Sequence, residues 1–213
     1  MTLYELQCQR FLWINIVRAT PADAEALRSR FPFIHPTHLE DLVSPSERPK
    51  LDERDDYLFA IMQFPVPDAR NRLTRSGEAD FIIMKDVLIT AHDGSLKKLT
   101  QIFAHSELDK RDRDLRFGRG ANDAFYALVD TLVDSISPIL NHVDETIHRI
   151  EQRIFEVDAR SMVQDISFAR RDVIALRRIV RQQVPVIEEL ASSEHLLLRS
   201  DQEAYFDDIL DHI

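Results

Sequence analysis

Carboxylate side chains are concentrated in the second half of this sequence, where the residue pattern predicts helices. Seven of them lie between residues 130 and 158: Asp130, Asp134, Asp144, Glu145, Glu151, Glu156 and Asp158. Carboxylate oxygens are the ligands that Mg²⁺ prefers, and because Mg²⁺ keeps several of its waters, one or two carboxylates from each of two surfaces can hold it. Most charged residues lie at exposed positions, so a solvated helix face is the ordinary interpretation. The functional interpretation is a binding site for a hard cation such as Mg²⁺.

Other metal and catalytic chemistries find little support in the sequence. The eight histidines and the single cysteine, Cys8, form no His-x-x-x-His or His-x-x-Cys spacing of a zinc motif. His148 follows Asp144 by one helical turn, a spacing more typical of a surface ion pair. No nucleophile elbow is present, and the four glycines form neither a dinucleotide-binding loop nor a phosphate-binding loop. The sequence therefore predicts a protein that is not an enzyme.

Composition and charge narrow the class of protein. The chain has 213 residues, a formal net charge of −10 and a hydrophobic fraction of 44%, which is enough for one large packed domain or two small ones. The acidic balance argues against nucleic acid as a partner, because nucleic-acid binding needs a basic face. A single cysteine excludes an internal disulfide and fits a reducing compartment. No run of 18 apolar residues occurs, so we expect no bilayer-spanning segment in this sequence.

Residues 1–118 are predicted to form a sheet domain. Runs of aromatic and apolar residues predict strands at 11–17, 57–64, 78–84 and 87–92, with an extended segment at 48–52 and a polar connection at 65–76. Helices are predicted at 22–31, 38–42 and 95–106, the first capped by Thr20 and the second by Thr37. The charged, glycine-bearing stretch 110–120 is predicted to be a linker. These elements indicate an α/β (α+β) fold, in which a mixed sheet is flanked by helices.

Residues 119–213 are predicted to be helical throughout and to form a long stalk or hairpin. One helix is expected over 123–157, with a coiled-coil seam of Val143, Ile147, Ile150, Ile154 and Val157. Pro138 lies inside this helix and is expected to kink it. A second helix over 162–190 is expected to return antiparallel to the first. The third helix, 201–213, is still running where the sequence stops, which predicts that the natural protein continues.

Three short motifs occur in a fixed order along the chain. Residues 33–41 read FIHPTHLED, residues 48–52 read RPKLD and are followed by YLF at 57–59, and residues 205–212 read YFDDILDH. In this order, and with a helical region before the third, they resemble the cytoplasmic half of the CorA-type divalent-cation transporters. Thr37 and Asp52 stand where the family's motifs carry leucine and glutamate. The resemblance covers nearly the whole chain.

The resemblance implies the regulatory half of a homopentameric Mg²⁺ transporter, on the cytoplasmic side of the cell inner membrane. The family continues into two membrane helices with a Gly-Met-Asn pore signature, and neither occurs in these 213 residues. The resemblance also implies a cation site between subunits, which pairs an aspartate after a sheet strand with an aspartate of the stalk helix. Those positions correspond to Asp68 and Asp208, and a further ligand on the long helix corresponds to Asp130.

The identity of the transported ion stays open at this point. Co²⁺, Ni²⁺ or Zn²⁺ would also suit a member of this family, and its zinc-transporting branch is an alternative. A soluble coiled-coil adaptor with no ion role is the alternative from a different functional class. Two apolar segments and a Gly-Met-Asn sequence further along the natural protein would favour the transporter over the adaptor.

Overall fold

The computed structural model of the chain describes residues 3–44, 48–153, 159–198 and 203–211. Its strands are β1 (Leu3–Gln7), β2 (Leu12–Val17), β3 (Lys50–Arg54), β4 (Tyr57–Asp68), β5 (Leu73–Ile83) and β6 (Val87–His92). Its helices are α1 (Pro21–Arg30), α2 (Pro36–Asp41), α3 (Lys97–Leu108), α4 (Lys110–Phe117), α5 (Ala121–Asp134), α6 (Ser137–Arg153), α7 (Ala159–Ser192) and α8 (Glu203–Asp211). Within the described ranges, no helix combines the length and the apolar character needed to cross a membrane.

The strands join one mixed sheet in the order β1-β2-β6-β5-β4-β3. β2 and β6 run parallel, with Leu12 opposite Val87, and the other neighbouring pairs are antiparallel. β2, β4 and β6 are almost entirely buried because helices cover both faces of the sheet, and their nearly continuous apolar sequences fit this position. The predicted mixed sheet flanked by helices is confirmed.

Hydrophobic cores lie on both faces of the sheet, because successive side chains of a strand point to opposite sides. On one face, Ile14 and Phe59 pack with Leu27 of α1 and Leu39 of α2. Trp13, the neighbour of Ile14 in the sequence, belongs to the larger core with side chains of α3, α4, α5, α7 and α8. The larger core therefore contains residues from both sides of the expected boundary after residue 118, and the division into two domains stays a prediction.

The first two helices begin where side chains satisfy their first N–H groups. The Thr20 hydroxyl group accepts the N–H of Asp23 while the Asp23 carboxylate accepts the N–H of Thr20, and Pro21 fits the first helical position because no N–H is needed there. The predicted cap of α1 is confirmed. The cap predicted for α2 was wrong: His35 precedes that helix, and its Nδ1 atom accepts the N–H of Thr37.

The sheet is larger than the sequence predicted. β1 was missed because it is an edge strand in which only Leu6 is buried. The polar connection predicted over 65–76 was wrong, because β4 and β5 continue through most of it as a paired ribbon. Pro65 and Pro67 are tolerated in β4 because β3 ends opposite Ile61, so no neighbouring strand requires their N–H groups on that side.

The linker predicted over 110–120 was also wrong, because α4 occupies most of it. Asp109 caps this helix by accepting the N–H of Asp112 at 3.0 Å, and Arg116 pairs with Asp112 at 2.9 Å one turn later. Phe117 is buried in the larger core and anchors the helix. The high density of charged residues hid a helix that has only this one strong apolar contact.

The single long helix predicted over 123–157 is broken in the structure. α5 and α6 are separated by a turn at 135–136, where the Ser135 hydroxyl group donates to the carbonyl oxygen of Leu132. Pro138 therefore lies in the first turn of α6, where its missing N–H removes no helical hydrogen bond. The prediction of a proline kink inside a continuous helix was wrong.

α6 and α7 form an antiparallel pair, as predicted. Arg153 at the end of α6 and Met162 near the start of α7 line one cavity, whereas Pro138 at the start of α6 and Asp172 further along α7 line another. Within α7, Pro185 lies inside a helix that extends beyond the predicted 162–190 at both ends. The pair forms the most elongated part of the helical region.

Only part of the predicted coiled-coil seam belongs to the described residues. Val143 is buried, Ile150 is half-buried and Ile147 is 37% exposed. Ile154 and Val157 lie outside the described residues. The coiled coil therefore stays a prediction.

α7 lies across the sheet and completes the hydrogen bonding of two strands. β4 is longer than β3, so some of its N–H groups point to α7 instead of to a strand. Gln183 is 0% exposed, and its Oε1 atom accepts the N–H of Gln63 in β4 at 3.1 Å. The Asp172 carboxylate accepts the N–H of Thr74 in β5. Because a buried N–H without a partner is costly, these two side chains fix the position of α7.

His92 ends β6 in a buried turn. Its ring is 5% exposed, and its Nδ1 atom accepts the N–H of Gly94 at 3.1 Å. Gly94 has a φ of +83°, a left-handed conformation that favours glycine. The acceptor role of Nδ1 requires a neutral ring with its proton on Nε2. Burial lowers the pKa of His92 to about 4, because the charged form loses its hydration, and Asp93 opposes this shift.

Replacing Gln183 with leucine should lower the free energy of unfolding by about 1–3 kcal/mol, because the N–H of Gln63 would lose its buried acceptor. Urea denaturation followed by circular dichroism measures the difference. Gln182→Leu is the matched control: Gln182 is exposed on the same helix, and its replacement should change stability by less than about 0.5 kcal/mol. Equal effects of the two substitutions would contradict the role assigned to Gln183.

His92 should make the stability of the protein depend on pH. Its pKa is lower in the folded state than the usual 6.5, so the unfolded chain binds the proton more tightly and stability falls as the pH drops through 6.5 toward 4. About 2 kcal/mol should be lost between pH 7 and pH 5 for this reason. His92→Gln should reduce the difference in unfolding free energy between these pH values, whereas the exposed control His148→Gln should retain it. A full wild-type difference in His92→Gln would rule out this origin.

Candidate functional site

Asp68 ends β4 at the tip of the β4–β5 ribbon. Its Oδ1 atom accepts the N–H groups of Arg70 and Asn71 at 3.1 and 3.2 Å, and its Oδ2 atom accepts the Nδ2–H of Asn71 at 2.8 Å. The side-chain bond from Asn71, followed by the backbone bonds, lowers the pKa of Asp68 because these bonds stabilise the charged form. At neutral pH the ribbon tip therefore carries an ionised, partly exposed carboxylate.

α8 exposes Asp208 by burying its opposite face. Phe206 is 1% exposed and packs on α5, with its ring 5.8 Å from that of Tyr126. Tyr205 stacks on the same Tyr126 ring at 5.0 Å. Asp207 and Asp208 lie on the exposed side of the helix. The aromatic contacts of α8 thus determine where these two carboxylates are presented.

Asp130 and Asp208 influence one common side chain, Tyr126. Burial first, and then the carboxylates of Asp130 and Asp208, raise the pKa of Tyr126 to about 12, because a tyrosinate would be poorly hydrated and would be repelled by both. Asp134 acts in the same direction. Sequence reasoning chose Asp130 and Asp208 but missed Tyr126. The signal that could have found it is the spacing of Tyr126, Asp130 and Asp134, four residues apart along one helix face.

Asp68 lies in a different setting from the other two predicted ligands. It lines a cleft between the ribbon tip and the α6–α7 pair, together with Pro138 and Phe168. Among residues 3–44, 48–153, 159–198 and 203–211, no group of three or more His, Cys, Asp or Glu side chains could hold a metal ion. The structure thus brings Asp130 and Asp208 into one neighbourhood, and the pairing of Asp68 with Asp208 between subunits stays a prediction.

Histidine and cysteine provide no better set of ligands in the described part of the chain. His148 pairs with Glu151 at 3.2 Å and not with Asp144, the partner expected from the sequence. Burial raises the pKa of the Cys8 thiol to about 11, so it is neutral at physiological pH and poorly suited to bind a metal as a thiolate. The candidate ligands are therefore carboxylates.

The first two sequence motifs meet in the fold and stabilise it. The Lys50 ammonium lies 2.7 Å from the Asp41 carboxylate and 3.3 Å from that of Asp52. His38, 2% exposed, bonds the Tyr57 hydroxyl group through Nδ1 at 2.9 Å, and its Nε2 atom lies 3.3 Å from Asp52. This network joins α2 to β3 and β4. The first two motifs thus have a structural role in this fold, whereas the third motif carries a candidate ligand.

The chain is similar to several proteins named as metal ion transporters. It is 25% identical over 206 residues to the cobalt/magnesium transport protein CorA of Thermotoga maritima, a match that covers 94% of this chain and 56% of that protein. It is also 25% identical over 206 residues to the putative metal ion transporter YfjQ of Bacillus subtilis, covering 94% of this chain and 60% of that protein. The chain thus spans little more than half the length of these curated relatives.

Solved structures share the fold. The soluble domain of CorA from Methanocaldococcus jannaschii superimposes with a TM-score of 0.78 at 16% identity, over 95% of this chain and 82% of that one. The cytoplasmic domain of ZntB from Vibrio parahaemolyticus gives a TM-score of 0.71 at 16% identity, over 97% of this chain and 81% of that one. At this level of identity the likeness shows the fold, and it confirms the predicted sheet followed by long helices.

A family model described as CorA-like Mg²⁺ transporter protein matches residues 8–213. The match includes all three motifs of the sequence. Members of this family are ion transporters and not enzymes, which confirms the prediction that the chain has no catalytic activity. The match covers nearly the whole chain, which therefore belongs to the family of CorA-like Mg²⁺ transporter proteins.

Proposed function

We propose that this chain is the ion-sensing part of a homopentameric Mg²⁺ transporter, on the cytoplasmic side of the cell inner membrane. Divalent cations bind between subunits in this proposal and control the opening of the pore. Membership of the family supports it. So does the similarity to relatives that are named as metal ion transporters.

The observation that carries the proposal is the group of carboxylates around Tyr126. Asp130 on α5 and Asp208 on α8 both lie close enough to Tyr126 to raise its pKa, and Asp208 is exposed. In a chain of net charge −10, carboxylates gathered on one surface repel each other and repel a second copy of the same surface. A divalent cation between two such surfaces would cancel this repulsion, so each surface is suited to supply part of a cation site.

Asp68 of a second subunit is the proposed partner of Asp208. Its carboxylate is held in the charged form by its own turn, and it lies at the tip of a ribbon that projects beyond β3. Mg²⁺ keeps several of its six waters, so one carboxylate from each subunit is enough to hold it. A site divided in this way is complete only when two subunits are suitably arranged.

This division couples the concentration of Mg²⁺ to the conformation of the assembly. A cation that binds only when Asp208 faces Asp68 of a neighbour stabilises that arrangement, by an amount that depends on its concentration. At high Mg²⁺ the bridged subunits favour a symmetric, closed pore. At low Mg²⁺ the unbridged carboxylates repel, and the subunits separate and favour opening, which gives feedback control.

Mg²⁺ is the ion that this set of ligands favours. Carboxylates and water suit Mg²⁺, whereas Zn²⁺ is more often held by histidine and cysteine. Co²⁺ is the next candidate, since the name of one relative includes cobalt transport. A competition experiment, which measures how well Co²⁺, Ni²⁺ and Zn²⁺ each replace bound Mg²⁺, would distinguish these alternatives.

Asp208→Asn should abolish the stabilisation of the assembled protein by Mg²⁺, because an amide carries no charge and binds Mg²⁺ weakly. For the wild type, Mg²⁺ at ten times its dissociation constant should add about 1.4 kcal/mol per bound ion. Asp207→Asn is the matched control: it makes the same change at the adjacent exposed residue of α8 and should preserve the effect. Thermal melts with and without Mg²⁺, on samples shown to be oligomeric by sedimentation, measure both. Equal loss in the two variants, or no loss in either, would contradict the site.

The two proposed ligands should also prove to be coupled. Asp68→Asn should remove as much Mg²⁺ stabilisation as Asp208→Asn, and the double substitution should remove no more than either one, because all three abolish one site. Asp130→Asn should have a smaller effect, as a secondary ligand. Additive losses in the double variant, measured by the same melts, would show that Asp68 and Asp208 belong to separate sites.

A further inference from the structure

A cleft lies between the tip of the β4–β5 ribbon and the α6–α7 pair. Its narrow part has a volume of about 260 Å³ and is lined by Arg72, Arg149 and Arg153. Its wide part has a volume of about 500 Å³. Both parts are lined by Arg72, Thr146 and Arg149, so they adjoin each other, and together they are here named the ribbon cleft. Its size is that of a site for a small molecule.

Arginine concentrates positive charge at the narrow end, although the chain as a whole is acidic. Arg149 and Arg153 are one turn apart on the same face of α6, where two positive charges repel each other. In the described part of the chain, neither guanidinium group makes a hydrogen bond or an ion pair. Arg72 approaches from the ribbon, and its Nη2 atom bonds Asp165 at 3.0 Å, which occupies one of its five N–H groups. A bound anion would attract both guanidinium groups and so offset the repulsion between them.

The carboxylates that line the ribbon cleft already have partners in the protein. Asp165 binds Arg72, and Asp172 accepts the backbone N–H of Thr74. Asp68 accepts three N–H groups within its own turn. These bonds hold the three carboxylates to Arg72 or to the backbone of the ribbon, and none of the three forms an ion pair with Arg149 or Arg153.

Arg72 is held in an unusual backbone conformation. Its φ of +48° lies in the left-handed region, which glycine and asparagine adopt more readily than arginine. Its guanidinium group lies over the ring of Phe168 at 4.5 Å, so its side chain is fixed above the cleft. Arg72 is the last residue of the loop between β4 and β5, where hairpins often have this conformation.

The wide part of the ribbon cleft is suited to a flat, apolar group. Proline, leucine, isoleucine and phenylalanine side chains line it: Pro67, Leu73, Pro138, Ile139 and Phe168. A nucleobase is flat and can pack against apolar side chains of this kind. A ligand that fills the whole cleft thus has an anionic end and a planar end.

We propose that the ribbon cleft binds a nucleoside polyphosphate. Its phosphate oxygens accept N–H groups of Arg72, Arg149 and Arg153, since the guanidinium fork matches a phosphate in geometry and charge. Its base lies in the wide part, against Leu73 and Ile139, because the ring of Phe168 is already covered by guanidinium groups. This site is independent of the cation site proposed above, although Asp68 borders the cleft.

Calorimetric titration with ATP, without added Mg²⁺ and at a fixed salt concentration, tests the proposal. The wild type should show saturable binding, and Arg149→Gln/Arg153→Gln should weaken it by at least about tenfold. Arg177→Gln/Arg181→Gln is the matched control: two exposed arginines of α7 have the same spacing, and their replacement changes the net charge equally. This control should bind ATP like the wild type. No saturable binding, or equal weakening in both variants, would overturn the proposal.

A further probe separates the phosphates from the base. Inorganic tripolyphosphate should bind more weakly than ATP and should depend on the same two arginines. Tripolyphosphate binding as tight as that of ATP would overturn the assignment of the base. Loss of self-association in Arg149→Gln/Arg153→Gln without any ATP binding to the wild type would assign these arginines to a contact between copies, and would also overturn it.

Discussion

The position of α7 across the sheet is the constraint on which most of the structure depends. β4 is longer than β3, so the buried N–H of Gln63 needs a partner from outside the sheet, and Gln183 of α7 supplies it. With α7 fixed in this way, the segment after it bonds the β3–β4 hairpin, where the His195 ring contacts a backbone carbonyl at 2.7 Å. α8 then packs back on α5 and α7. The hydrogen bond between Gln183 and β4 therefore helps to place α8, and with it the carboxylate of Asp208, near Tyr126.

The fold was predictable where burial leaves a local pattern. Buried strands are recognisable as continuous apolar runs. Thr20 followed by a proline marks the start of α1, because the threonine hydroxyl group can accept an N–H of the first helical turn. Prediction failed where the structure of a segment depends on contacts with residues far away in the sequence. Pro65 argues against a strand until β3 is known to stop short of it. The charges of α4 conceal a helix in which Phe117 is the buried residue. Pro138 was placed inside a helix because helical spacing continues across the turn that separates α5 from α6.

The site was predictable mainly through the resemblance to a family. The motif on α8 identified Asp208, but no local pattern shows that Asp130 comes close to it, because that depends on the packing of α5 against α8. Asp68 was located on a stretch predicted to be a polar connection, and the hydrogen bonds that keep it ionised come from the ribbon turn. The ribbon cleft left no trace in the sequence, because Arg72 and Arg149 come from separate elements. The packing of the β4–β5 ribbon against the α6–α7 pair brings these two arginines together, and this packing cannot be derived from the spacing of residues in the sequence.

Anomalous diffraction from crystals of the full-length transporter, grown with Co²⁺ in place of Mg²⁺, would locate the bound ions directly. The proposed regulatory site predicts a peak between two subunits, within about 5 Å of the Asp208 carboxylate of one and the Asp68 carboxylate of the other, because a hydrated ion contacts them directly or through one water. Asp130 should lie beside the same peak. Well-occupied peaks elsewhere in the cytoplasmic part, with none between these two carboxylates, would contradict the site and the feedback mechanism built on it.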